Sequence, residues 1–131
     1  MTAAPTAPRL RIRLVFADGS MIGPGKADLL FHIQQTGSIA AAGRRMDMSY
    51  KRAWQLVETM NAMFSAPLVV RSRGGSSHGG AQLTETGVRV LALFRQLEER
   101  AAGAASAEIA AISGLHVPVL GGSADDPDMV E

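Results

Sequence analysis

The sequence predicts a mainly α-helical domain with small β-hairpins and a long helix toward its C-terminal end. Three observations predict it. Apolar residues recur at three- and four-residue steps through 26–35, 39–46, 53–64 and 88–97, the period of helices that bury one face. Two runs, RLRIRLVF (9–16) and LVVRSR (68–73), are alternating or β-branched, and turn residues follow each of them. Helix-starting residues stand where the helical periods begin: Pro24, Ser38, Ser49 and Thr84. Three helices, a hairpin and a long helix, in that order, make a winged helix-turn-helix.

Each element has a local reason. Residues 1–8, MTAAPTAP, are small and Pro-rich and read as a disordered lead-in. In residues 9–16, Leu10, Ile12 and Leu14 alternate with Arg9, Arg11 and Arg13, as in a half-buried strand. Asp18-Gly19-Ser20 is a turn, and 20–22 pairs back. Pro24 suits the first turn of a helix that runs to Gln35, buries Leu29, Leu30 and Ile33, and stops at Thr36-Gly37. Ser38 caps the next helix, whose inner face is Ile39, Ala42 and Met46. Asp47 and Met48 form a turn. Ser49 caps a helix to about Phe64, with Ala53, Leu56, Val57, Met60 and Phe64 inward and Trp54 near the boundary between its faces. Pro67 stops it. The strand 68–73, the glycine-rich loop 74–80 and the return strand 81–83 form a wing. Thr84 caps the long helix, about 85–101. Its apolar stripe is wider than one buried face needs. Val88, Leu91, Phe94 and Leu97 are therefore expected to serve dimerisation with a second copy. The domain spans 9–101, and residues 102–131 form an Ala-rich and acidic tail.

Composition narrows the function. The chain has 131 residues, enough for one domain, and a hydrophobic fraction of 47% supports a real core. It has no cysteine, so disulfides and thiolate metal sites are excluded. No apolar run approaches the ~18–20 residues that span a bilayer, and the first residues do not form a signal peptide. The expected location is the cytoplasm. The net charge of +1 conceals a split: residues 1–100 hold all thirteen Lys and Arg with seven acids, and residues 101–131 hold five acids and no Lys or Arg. A basic body with an acidic tail fits a nucleic-acid binder.

The chemistry-bearing residues follow that reading. Ser49, Tyr50, Lys51, Arg52 and Gln55 stand at the start of the second helix of the helix-turn-helix, where a groove-entering helix presents hydrogen-bonding groups to base edges. Lys51 and Arg52 suit guanine or phosphate, and Gln55 suits adenine. Ser38, Arg44, Arg45 and Tyr50 are candidate phosphate anchors, and Arg71 and Arg73 flank the glycine loop of the wing. The partners expected are double-stranded DNA and a second copy of the chain. Metal, cofactor and catalytic readings find no support. His32, His78 and His116 lack ligand spacing, the glycines at 74, 75, 79 and 80 do not precede Lys-Ser or Lys-Thr, and no Ser/His/Asp grouping is readable.

The same residues resemble a known family. Ser38-Ile39, Ala41-Ala42, the run Met48-Ser49-Tyr50-Lys51-x-Ala53-Trp54 and Met60-Asn61 are similar to the N-terminal DNA-binding domain of the molybdate-responsive (ModE-type) transcriptional regulators. Pro67-Leu68-Val69, Arg71, the wing and Leu83-Thr84-x-x-Gly87 continue the likeness, which covers about residues 9–100. The Leu-Thr-x-x-Gly step is shared with the broader LysR-like winged helices. The resemblance implies a homodimer, joined through N- and C-terminal helices, on palindromic promoter sites. Two positions depart from the family pattern: Gly43 stands where alanine is usual, and Asp47 where the turn commonly has glycine. About thirty residues follow the long helix, too few for a molybdate-binding region, so molybdate binding is not carried over. A separate effector-sensing protein is a further candidate partner that the sequence does not identify. The alternatives are a winged-helix protein-interaction module and a non-specific architectural DNA binder.

Overall fold

A computed structural model describes residues 7–72 and 80–119. The lead-in 1–6, Arg73, the glycine-rich loop with His78, and the acidic end 120–131 lie outside the described residues. The elements, in chain order, are β1 (Leu14–Val15), β2 (Met21–Ile22), α1 (Pro24–Thr36), α2 (Ile39–Arg45), α3 (Tyr50–Met63), β3 (Val69–Ser72), β4 (Gly80–Leu83), α4 (Glu85–Ala104) and α5 (Ser106–Leu115). The strands form two separate antiparallel pairs, β1 with β2 and β3 with β4. The order is that of a winged helix-turn-helix.

α1 is the hub. It packs against α2, α3, α4, β2 and β4, and its Leu29, Leu30 and Ile33 are fully buried with Val57 and Met60 of α3 and Leu68. Proline at its first turn costs no helical bond. Gly37 ends it at φ 71°, a left-handed conformation that favours glycine, and returns its N–H to the Ile33 carbonyl at 2.8 Å. The Gly37 carbonyl then accepts the Ala81 N–H at 2.9 Å, which fastens β4 to the end of α1. Lys26 is buried as well, and its amine donates to the Met21 carbonyl at 2.9 Å, tying the first hairpin to α1. Arg95 of α4 bonds Asp28 of α1 at 2.7 Å and Glu98 at 3.1 Å. Partial burial pulls its guanidinium pKa down, but these two carboxylates outweigh that and raise it above its ordinary value.

The strand expected over 9–16 is two residues long. Only Leu14 and Val15 find partners, Ile22 and Met21. β2 has no more to offer, because Gly23-Pro24 turns the chain into α1. The alternation does not translate into burial either. Leu10 and Leu14 are exposed and Arg11 is half-buried, because α5 and α4 approach that face only across open cavities, with Leu10 beside Ile109 and Ile112 and Leu14 beside Leu93 and Leu97. The turn behaves as expected: Asp18 accepts from both the Ser20 hydroxyl and the Ser20 N–H, which lowers its carboxyl pKa, and Gly19 has φ 90°.

α4 buries part of the face expected to meet a second copy. Of the four residues assigned to dimerisation, Leu91 and Phe94 are buried in the domain's own core, at 6% and 3% exposure. They face inward because α4 is pressed onto Leu68. A side chain at Gly87 would place its Cβ 2.1 Å from the Leu68 carbonyl oxygen. The Thr84 N–H donates to that same carbonyl at 2.9 Å, and the Thr84 hydroxyl donates to the Pro67 carbonyl at 2.7 Å while accepting the Gly87 N–H. Thr84 thus caps α4 and anchors it at once. Val88 and Leu97 remain exposed, joined by Leu93. α4 also runs to Ala104, past the expected end, before α5 begins.

Gly87→Ala is a direct check. Helix propensity alone would favour alanine by roughly 1 kcal/mol. The contact with Leu68 should reverse the sign and lower stability by about 1–3 kcal/mol, read as a lower denaturation midpoint at unchanged slope.

Candidate nucleic-acid interface

The joint between α2 and α3 is built from short-range bonds. Met46 and Met48 both donate their N–H groups to the Gly43 carbonyl at 3.0 Å, and Asp47 donates to Arg44 at 3.2 Å. Asp47 takes φ 55°, the left-handed state that aspartate tolerates better than most residues. Gly43 is buried, and a Cβ there would meet the Ala53 Cβ at 3.2 Å and the Met48 carbonyl at 3.4 Å. The glycine that weakens α2 by its propensity therefore sits at a tight contact between α2 and α3.

This joint presents a basic surface. The Ser49 hydroxyl accepts the Arg52 N–H at 3.0 Å and starts α3. The first turn of α3 has no acid, and Tyr50, Lys51, Arg52 and Gln55 are all exposed. Positive side chains thus stand at the positive end of a helix dipole, an arrangement that draws in an anion. Arg44 and Arg45 are exposed in the last turn of α2. Asp47 is the single acid between Ser38 and Val57. The Ser38 hydroxyl accepts the Ala41 N–H at 3.1 Å. Both capping hydroxyls use their oxygen as acceptor, so each keeps a proton to donate.

The wing is set against this surface by Asn61 on α3. Its amide oxygen accepts the N–H groups of Leu68 (2.8 Å) and Val69 (3.1 Å), and its amide nitrogen donates to the Val69 carbonyl at 3.0 Å. β3 and β4 pair from Val69↔Leu83 to Ser72↔Gly80. Arg71, on β3, is exposed, and its guanidinium carbon lies 5.2 Å from the centre of the Trp54 ring. Trp54 also donates its indole N–H to the Tyr50 hydroxyl, and the two rings meet edge to face at 6.3 Å.

The structure therefore brings Ser49, Tyr50, Lys51, Arg52 and Gln55 onto the exposed start of one helix, with Arg44 and Arg45 just before its turn and Arg71 joined to it through Trp54. Arg73 lies outside the described residues. Sequence reasoning missed Asn61 as the wing's clamp and Trp54 as a bridge. The i, i+4 spacing of Tyr50 and Trp54 was the available signal for the second.

Comparisons with known proteins agree with this geometry. Residues 27–88 match the bacterial regulatory helix-turn-helix protein, lysR family. The chain is 42% identical over 80 residues to the molybdenum transport protein ModE of Azotobacter vinelandii, covering 61% of this chain and 30% of that protein. It is 38% identical over 85 residues to the DNA-binding transcriptional dual regulator ModE of Escherichia coli (strain K12), covering 65% and 30%. The chain thus spans about 30% of the length of these relatives. Among solved structures, the DNA complex of the CbnR DNA-binding domain superposes with a TM-score of 0.54 at 24% identity, covering 67% of this chain and 95% of that one, a likeness of fold. Residues 27–88 are thus similar to a LysR-type helix-turn-helix, and the likeness to the ModE-type regulators falls on the same part of the chain.

Removing Asn61 should loosen the wing. Asn61→Ala leaves two N–H groups and one carbonyl beside Leu68 without their partner, at a cost of about 1–3 kcal/mol. Amide exchange at Leu68 and Val69 should accelerate more than exchange in α1.

Proposed function

We propose that this protein is a sequence-specific, DNA-binding transcriptional regulator that acts in the cytoplasm as a homodimer on palindromic promoter sites. The observation that carries the reading is the acid-free, Ser49-capped start of α3, with Tyr50, Lys51, Arg52 and Gln55 exposed together. A helix of this kind enters the major groove by its first turns. Lys51, Arg52 and Gln55 are the base-reading candidates. Ser38, Arg44, Arg45, Tyr50 and Arg71 would hold phosphates, with Arg73 expected to join them from the wing. The names of the relatives, which include transcriptional regulators, support the same class.

The dimer rests on unpartnered apolar surface. Val88, Leu93 and Leu97 of α4 are exposed, and Leu93 and Leu97 line a cavity of about 230 Å³ with Leu14, Phe16 and Phe64. None of the residues of α5 is buried, and its Ile112 and Leu115 are exposed. A second copy meeting α4 and α5 across a two-fold axis would cover both. The dimerisation set is accordingly Leu93 and Leu97, with Val88 exposed on the wing side of α4 and Leu91 and Phe94 in the core. Residues 9–101 would be the DNA-binding body and the segment from 102 onward an arm and tail. Among the described residues no helix is long and apolar enough to cross a membrane.

Selection from a random double-stranded DNA pool should return a palindrome with half-sites about one helical turn apart, ~34 Å. Affinity for it should fall steeply with salt as phosphate counterions are released. A pool that yields no motif, with a flat salt response, would sink the proposal. On the selected site, Lys51→Ala and Arg52→Ala should each cost about 1–3 kcal/mol where a base contact is lost, relaxing specificity at one position of the site.

A further inference from the structure

Trp54 stands where the first turns of α3 meet the foot of the wing. One of its faces lies against the Arg71 guanidinium of β3, and its indole N–H reaches back one turn to the Tyr50 hydroxyl. The Tyr50 ring meets it nearly perpendicularly, at 85°. Trp54 itself is half-buried, whereas Tyr50 and Arg71 are exposed. The chemistry of the trio has a direction. A phenolic oxygen that accepts the indole proton keeps its own proton for donation outward. A guanidinium held over an indole face by a cation–π contact still has N–H groups to donate. The cluster thus offers a hydroxyl donor from the recognition helix and a forked cationic donor from the wing, joined through one aromatic side chain. Phosphate oxygens, which only accept, fit that pair.

We propose that Trp54 is a positioning residue that locks the wing to the recognition helix, so that Tyr50 and Arg71 act as one phosphate clamp. The proposal rests on the DNA-binding reading and goes beyond it. It makes a neutral side chain responsible for an electrostatic contact. It also makes Arg71 irreplaceable by lysine, which keeps the charge and loses the broad forked guanidinium that lies over the indole.

The test is a double-mutant cycle on the site selected by the parent protein, with the salt dependence of each affinity measured. Arg71→Ala should weaken binding at least about fivefold and lower the log–log salt slope by about 1. Trp54→Ala, though it removes no charge, should lower the slope as well. The double variant should bind within about twofold of the weaker single variant, as coupled positions do. Arg71→Lys should be impaired at a parental slope. Trp54→Phe keeps an aromatic ring and loses the N–H, so it checks the alanine result in a conservatively packed protein. Its binding should fall between parent and Trp54→Ala. Trp54 is the only tryptophan, so Arg71→Ala should also shift the fluorescence emission of the DNA-free protein. A parental salt slope in Trp54→Ala, losses that multiply in the double variant, or unmoved emission would each overturn the clamp. If the parent selects a site and the Trp54 variants bind it equally well, the clamp alone falls. If the parent selects none, the DNA reading falls and takes the clamp with it.

Discussion

The structure turns on how the backbone of Leu68 is held. Its side chain is fully buried. Its N–H goes to Asn61 of α3 and its carbonyl to the N–H of Thr84, and Gly87 of α4 approaches that carbonyl too closely for any Cβ. One residue therefore fixes three relationships: α3 to the wing, the wing to α4, and α4 to the core. Each bond alone is modest, about 0.5–1.5 kcal/mol net. Left unmade in so buried a place, each would cost more, and this asymmetry gives the joint its specificity.

From that joint the exposed chemistry follows. α3 is gripped at both ends, by the Ser49 cap at its start and by Asn61 near its finish. Its basic first turn is left facing solvent. The charge split along the sequence becomes an exposed surface at α2 and α3, where Arg44, Arg45, Lys51 and Arg52 all face solvent and Asp47 is the single acid between Ser38 and Val57. That acid is the residue with the left-handed backbone. The turn keeps its geometry through an aspartate at a small electrostatic cost to the surface around it.

Much of this was legible in the sequence because it is local. Pro24, Ser38, Ser49 and Thr84 start helices where their side chains dictate, and the periodic residues of α1 and α3 are the buried ones. Three things were not legible. The Arg-Leu alternation of 9–13 implies a strand, but pairing depends on a partner, and Pro24 takes the chain away after Ile22. The stripe of α4 showed that two faces are apolar without showing which is which. The contact of Gly87 with Leu68 decides that, turning Leu91 and Phe94 inward and Leu93 outward. Lys26, a helix-start residue by pattern, is buried because the hairpin folds over it and offers the Met21 carbonyl. The candidate site divides the same way. Its helix residues could be read from their order, whereas the Trp54 bridge to Arg71 joins residues on separate elements.

Gly37 carries a consequence for the order in which the domain forms. It closes α1 with a bond to Ile33, inside its own helix, and it also receives Ala81 from the far strand of the wing. The first bond closes a tiny loop. The second must wait for both central helices and the whole hairpin to be brought round, and so carries the larger loop-closure entropy. The attachment of β4 at Gly37 can thereby be released without dismantling α1.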